Sequence, residues 1–181
     1  MAGGPMWIAV AALLAALSPG ALPPTAASLD APMPLTGRCP DGRIWTTSTA
    51  EQGDMLALVN QARDERRRPR LARVAALDRM ALAHAADMAC GNYFSHRNRQ
   101  REKLSERFTR AAGADVADWT RLAEVLGTSP TALRQVEQWL RSRSHRAAML
   151  ERQHAAAGVG MVRIGRGSRY VTYWAVEFAG R

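Results

Sequence analysis

Residues 158–178 read GVGMVRIGRGSRYVTYWAVEF. Two runs rich in β-branched and aromatic residues flank Gly165-Arg166-Gly167-Ser168, a turn composition, and predict a hairpin. In the second run Tyr170, Thr172, Trp174, Val176 and Phe178 fall on one face. Val171, Tyr173 and Ala175 make the opposite face largely apolar too. A strand apolar on both faces is covered on both. Helical patterns precede the hairpin, so the expected architecture is a three-layer α-β-α sandwich of the α+β class.

Working outward, Met55, Leu58, Val59 and Ala62 repeat at i, i+3, i+4 and i+7, which predicts a first helix. Asp54 is placed to cap it, and Pro69 ends it. Leu77, Met80, Ala81, His84, Ala85 and Met88 share the face of a second helix, closing near Cys90-Gly91-Asn92, where Gly or Asn can adopt the left-handed cap. Tyr93-Phe94-Ser95-His96 reads as a loop. Leu104, Phe108 and Ala111 suggest a third helix ending at Gly113, and residues 121–126 a short strand or irregular segment. Ser129-Pro130 is expected to start a fourth helix, with Leu133, Val136, Trp139 and Leu140 inward. Ser144-His145-Arg146 reads as a cap and short continuation to Leu150.

The chain has 181 residues, enough for one domain and too few for two of ordinary size. Residues 1–27 carry no charged side chain, and 7–17 form an apolar run followed by Ser18-Pro19-Gly20 and small residues. That run is shorter than the ~20 residues a spanning helix needs. It reads as a secretory signal cleaved near Ala27, although no Lys or Arg precedes it; a retained anchor or a misplaced start codon is the alternative. The expected organisation is a signal over 1–27, an extension over 28–53 with a short strand near Arg43 to Thr46, and a domain over 54–181. The location is then secreted or periplasmic.

The formal charge is +9, nearly all from arginine, since Lys103 is the only lysine. Codon composition explains this as simply as an acidic partner does. The Arg-rich stretch from Arg63 to Arg73 reads as a solvated loop or as a patch for phosphate or anionic lipid. Few aromatics accompany it, which argues against single-stranded nucleic acid. Cys39 and Cys90 are the only cysteines. In an exported chain such a pair is most simply a disulfide, the alternative being two free thiols.

The order of these elements resembles the CAP/SCP superfamily (cysteine-rich secretory proteins, antigen 5 and pathogenesis-related proteins), its bacterial branch above all. The resemblance is carried by Leu58-Val59-Asn60-Gln61-Ala62-Arg63, Leu77…Ala81…His84-Ala85, Tyr93-Phe94-Ser95-His96, Trp139-Leu140-Arg141-Ser142-Arg143-Ser144-His145-Arg146 with Met149-Leu150, Gly158-Val159-Gly160, and Tyr173-Trp174…Phe178. It implies a cleft lined by histidines and acidic residues. His96 and His145 match the two family histidines. Glu124 falls at the Gly-Glu-Asn position, written here Ala123-Glu124-Val125, and Ser144 replaces the glycine before the second histidine. A further acidic position corresponds to Arg143.

Two function classes follow. The first is a non-catalytic binding module whose cleft holds a lipid, a wall fragment or an extracellular partner. The second is a metal-assisted hydrolase in which His96, His145 and Glu124 hold a divalent ion such as Zn²⁺ with water at the fourth position. A guanidinium at Arg143 opposes a cation and favours the first if it points into the cleft; if it points to solvent, the second stays open. Glu124 can instead hold His96 or His145 without any metal. His84 is expected in the core, and His154 in a loop without a matched role. Glu106 and Asp115 are expected to be solvated. Ser95, Ser142 and Ser144 lie near histidines but lack a nucleophile-elbow context.

Overall fold

A computed structural model describes residues 35–111, 119–166 and 169–181. The signal segment, Asp115 and the expected helix end at Gly113 lie outside them. The elements run β1 (Thr36–Arg38), β2 (Ile44–Thr46), α1 (Thr49–Asp64), β3 (Ala72–Arg73), α2 (Ala75–Gly91), α3 (Leu104–Ala111), β4 (Arg121–Gly127), α4 (Ala132–Arg141), α5 (Arg143–Met149), β5 (Ala156–Arg166) and β6 (Arg169–Gly180).

The sheet has the order β1-β2-β5-β6-β4, antiparallel throughout, and β3 adds a short parallel pairing to β5. The predicted hairpin is β5–β6, with Val159 opposite Val176 and Met161 opposite Trp174. Alternation along these strands sends two sets of side chains to opposite faces. Val159, Met161, Trp174, Val176 and Phe178 pack with Met55 and Val59 of α1, Val136 and Trp139 of α4 and Met149 of α5. Val162, Ile164, Tyr173 and Ala175 pack with Ala81, Leu82, Ala85 and Met88 of α2. The α-β-α sandwich is therefore present.

Two glycines set the spacing of one interface. A Cβ at Gly158 would sit 2.1 Å from the Leu77 carbonyl carbon, and one at Gly160 2.2 Å from that of Ala81. The α2 backbone thus rests directly on β5. Asp78 of α2 fastens the contact by accepting the Val159 N–H at 2.8 Å and pairing with Arg73 at 2.7 Å.

Three local readings are corrected. The first helix begins earlier than its apolar repeat: Ser48 is the cap, accepting the Glu51 N–H, and Asp54 lies inside the helix. The fourth helix starts at Ala132 with Thr131 as cap, and Ser129-Pro130 precede it. Its inward stripe is Ala132, Gln135, Val136 and Trp139, which leaves Leu133 exposed. The third correction concerns Arg63, which is fully buried rather than solvated. Its guanidinium donates to the carbonyls of Pro69, Met149, Glu151 and His154, joining the end of α1 to the end of α5.

The Cys39–Cys90 disulfide is formed, with Cα atoms 5.3 Å apart. It ties the turn between β1 and β2 to the last turn of α2. Arg43 reinforces it by donating to the Cys90 carbonyl at 2.7 Å. The α2 helix closes on Asn92 at φ 52°, the left-handed cap expected from its sequence.

Candidate functional site

Four elements converge on Glu124 of β4. Register places Glu124 directly opposite Glu177 of β6, so both side chains leave the sheet on the face that α2 covers. Both are buried. Two carboxylates directly opposite on adjacent strands repel each other. Arg107, on the inward face of α3 beside Phe108, supplies the compensating charge. Its Nη2 donates to Glu124 Oε2 and lies 3.5 Å from Glu177 Oε1. Its Nη1 donates to the His96 carbonyl at 2.7 Å.

The histidines close around this pair. His96 Nδ1 lies 2.7 Å from Glu124 Oε1. Arg107 and His96 both face Glu124 as donors, which favours an ionised Glu124 and a protonated Nδ1 on His96. The lone pair of the His96 ring is then on Nε2, on a side chain 61% exposed. His84, wholly buried on α2, places Nε2 2.9 Å from the Ser95 carbonyl, which can only accept. Its proton is therefore on Nε2, and its buried Nδ1 has no hydrogen-bond partner. The same Nε2 is 3.6 Å from Glu124 Oε2.

These surroundings fix the charge states. Burial, followed by the Arg107 charge, pushes the His84 imidazole down to about 4, so it is neutral at pH 7. Burial also lowers His96, and the Arg107 charge adds to the effect. It lowers His145 too, with the His96 charge adding to the effect, so the two rings are electrostatic neighbours. Burial raises Glu124, and Arg107 counters it. Glu177 is raised well above the ordinary carboxylate range by burial and then by the Glu124 charge. One guanidinium serves two carboxyls, so one of them keeps its proton, and that one is Glu177.

His96 and Glu124 are thus brought into direct contact. His145 is half-buried on α5, at the electrostatic range of His96. Arg143, two residues before it, is exposed, so it does not decide between the two function classes. The Ser95 hydroxyl accepts the Arg97 N–H, and Ser142 and Ser144 pair with each other at 3.3 Å. None of the three hydroxyls is bonded to an imidazole among the described residues. His154 is buried, stacked on Phe178 at 5.6 Å between ring centres, and its Nδ1 lies 3.1 Å from the Ala148 carbonyl. Glu106 is exposed and accepts the Lys103 N–H at 2.6 Å.

Glu124 does not fit as a metal ligand. Its two oxygens are engaged by His96 and Arg107, and the guanidinium repels a cation beside it. Among the described residues, no three His, Cys, Asp or Glu side chains are placed to hold an ion together. His96 Nε2 and the His145 ring remain available, which is two donors where a catalytic zinc site uses three.

Arg107 and Glu177 are the site residues that the sequence reading passed over. Each left a signal. Arg107 stands at i+3 from Leu104 and next to Phe108, on the apolar stripe of its helix. Glu177 continues the Tyr173, Ala175 face of a strand covered on both sides.

The family model for the cysteine-rich secretory protein family, CAP, matches residues 56–178. The chain belongs to the CAP family. Solved CAP structures share its fold. An extracellular SCP-domain protein of Bacillus anthracis superposes with TM-score 0.61 at 22% identity, over 73% of this chain and 41% of that one. An outer surface protein of Borrelia burgdorferi superposes with TM-score 0.64 at 16% identity, over 76% of this chain and 97% of that one. A cysteine-rich secretory protein of Staphylococcus aureus gives 0.55 at 13% identity, over 73% of this chain and 38% of that one. The CAP domain here thus spans under half the length of the Bacillus and Staphylococcus chains. None of the curated proteins matches it by sequence. No helix among the described residues is long and apolar enough to cross a membrane.

Proposed function

We propose that this CAP domain is a non-catalytic binding module, exported behind a signal segment over residues 1–27, whose cleft at His96 and His145 holds a ligand outside the cytoplasm. The observation that carries the reading is the Arg107 guanidinium against Glu124, which opposes a cation there and leaves two imidazoles where a catalytic zinc site uses three ligands. A general base needs a lone pair within reach of the proton it takes. Glu124 accepts from His96 and Arg107 and so acts as a positioning residue, while the ring lone pair that faces the cleft is on the exposed His96 Nε2. The resemblance of the fold to extracellular and surface proteins supports export.

The test is retention without turnover. The purified mature chain is incubated with lipid extracts and with wall fragments, and the bound material is identified by mass spectrometry. An intact ligand retained by the native chain and lost from His96→Ala is the expected result. Release of a cleaved product, together with stoichiometric metal that disappears in the His96→Ala/His145→Ala variant, would replace this reading with the metal-assisted hydrolase.

A further inference from the structure

At the mouth of the cleft lies a cavity of about 280 Å³ lined by His96, Arg97, Lys103, Leu104 and Glu124. Its charges do not balance. Glu124 is the only acid in the lining, and the Arg107 contact from below neutralises it. Arg97 is steadied by donating to the Arg101 carbonyl at 2.8 Å, a neutral partner that leaves its positive charge uncompensated. The Lys103 side chain is exposed and forms no ion pair among the described residues. Of the nearby acids, Glu102 is paired with Arg110 and Asn98, and Glu106, held on the Lys103 backbone N–H, is not part of the lining. Leu104 adds an apolar wall.

We infer that this cavity is a binding site for a phosphate group, taken between Arg97 and Lys103 at the entrance to the His96 cleft. The inference rests on the cleft being a binding site and names the chemistry it accepts. A guanidinium presents paired N–H donors that match two phosphate oxygens, and an ammonium adds a mobile point charge. The cavity holds one small headgroup, and the Leu104 wall accommodates the start of an apolar chain. A free phosphate and a phospholipid headgroup share this recognition chemistry.

Two probes separate those sources: inorganic phosphate followed by calorimetry, and vesicles of phosphatidylcholine with and without phosphatidylglycerol followed by sedimentation. The folded chain is compared with Arg97→Gln/Lys103→Gln and with Arg134→Gln/Arg146→Gln, which removes the same charge from other exposed positions. Saturable binding of either probe that weakens at least tenfold in the first variant and stays within twofold in the second is the expected result. Phosphate binding alone assigns the free anion, and vesicle binding alone assigns the headgroup. Equal weakening in both variants, or binding of neither probe, overturns the proposal. A ligand held in a His96-dependent way at full affinity by Arg97→Gln/Lys103→Gln also overturns it, while leaving the binding module intact. Thermal midpoints of the variants check that each chain is folded.

Discussion

Among the described residues two arginines are buried, and their surroundings are opposites. Arg63 ends in a nest of four backbone carbonyls, all neutral and all accepting. Arg107 meets two carbonyls and two carboxyls, with two imidazoles near them. Burial costs both cations hydration. Carbonyl dipoles satisfy Arg63 in a way that does not change with pH. The partners of Arg107 titrate, and some of their atoms are left over: both Glu177 oxygens and His84 Nδ1 are buried without a hydrogen bond. Incomplete satisfaction of this kind is what a purely structural core avoids. One arginine is a joint between α1 and α5; the other organises a polarised cleft.

The contrast can be broken first at Arg63. Arg63→Met leaves four buried carbonyls without a donor, and unfolding in urea at pH 7 should show a loss of about 5 kcal/mol. The loss should change less between pH 7 and pH 5 than that of an Arg107 variant, because the four partners are carbonyls and only the His154 imidazole, which burial lowers and the Arg63 charge helps to lower, responds in that range. Arg107→Met should cost about 4 kcal/mol at pH 7, where it strands an ionised Glu124 beside Glu177. Here the loss should shrink at pH 5, because the stranded Glu124 takes up a proton. Equal pH behaviour in the two variants would erase the distinction.

His84 sharpens it. In the unfolded chain its imidazole protonates near 6.5, whereas in the fold it stays neutral down to about 4. Between those values the unfolded state binds the proton and the folded state does not, so stability falls as pH falls. The full shift corresponds to about 3 kcal/mol. His84→Gln should reduce the acid sensitivity over that window, read from unfolding midpoints at pH 7 and pH 4.5.

The smallest effect has the opposite sign. Glu177 is held protonated in the fold and is ionised when unfolded above about 4.5, so folding takes up a proton and stability declines as pH rises. Glu177→Gln mimics the protonated form. It should stabilise the chain by about 1 kcal/mol at pH 8 and by less at pH 5. A destabilisation that grows with pH would mean that Glu177 is ionised in the fold.

The layers were legible in the sequence because hydrophobic periodicity reports burial directly: a strand apolar on both faces demanded helices on both sides, and they are there. The resemblance singled out His96 and Glu124, and the fold brings these two side chains into contact. Arg63 was misread because an arginine beside Arg66, Arg67 and Arg68 looks like part of a solvated run. Its position one residue after the buried Ala62, on a helix end that another helix covers, is a matter of tertiary packing. Arg107 and Glu177 were missed for a related reason. A charged residue on an apolar stripe reads as an interruption until a partner of opposite charge is brought to it. That partner lies on another element, and in this case the partners were each other and Glu124. Helix starts failed by a few residues because Ser48 and Thr131 cap ahead of or behind the apolar repeat that announces the helix.

The contact of α2 with β5 at Gly158 and Gly160 gives the cleft its dimensions by what is missing from two residues. His84 rides on the helix, while Glu124 and Glu177 ride on the sheet, so the distance between the layers is also the distance between imidazole and carboxyl. A single methyl group at Gly160 would act as a shim under α2. The sheet would keep its acids in register as the helix lifted its histidine away. Cleft geometry can thus be retuned from a position that no ligand would touch.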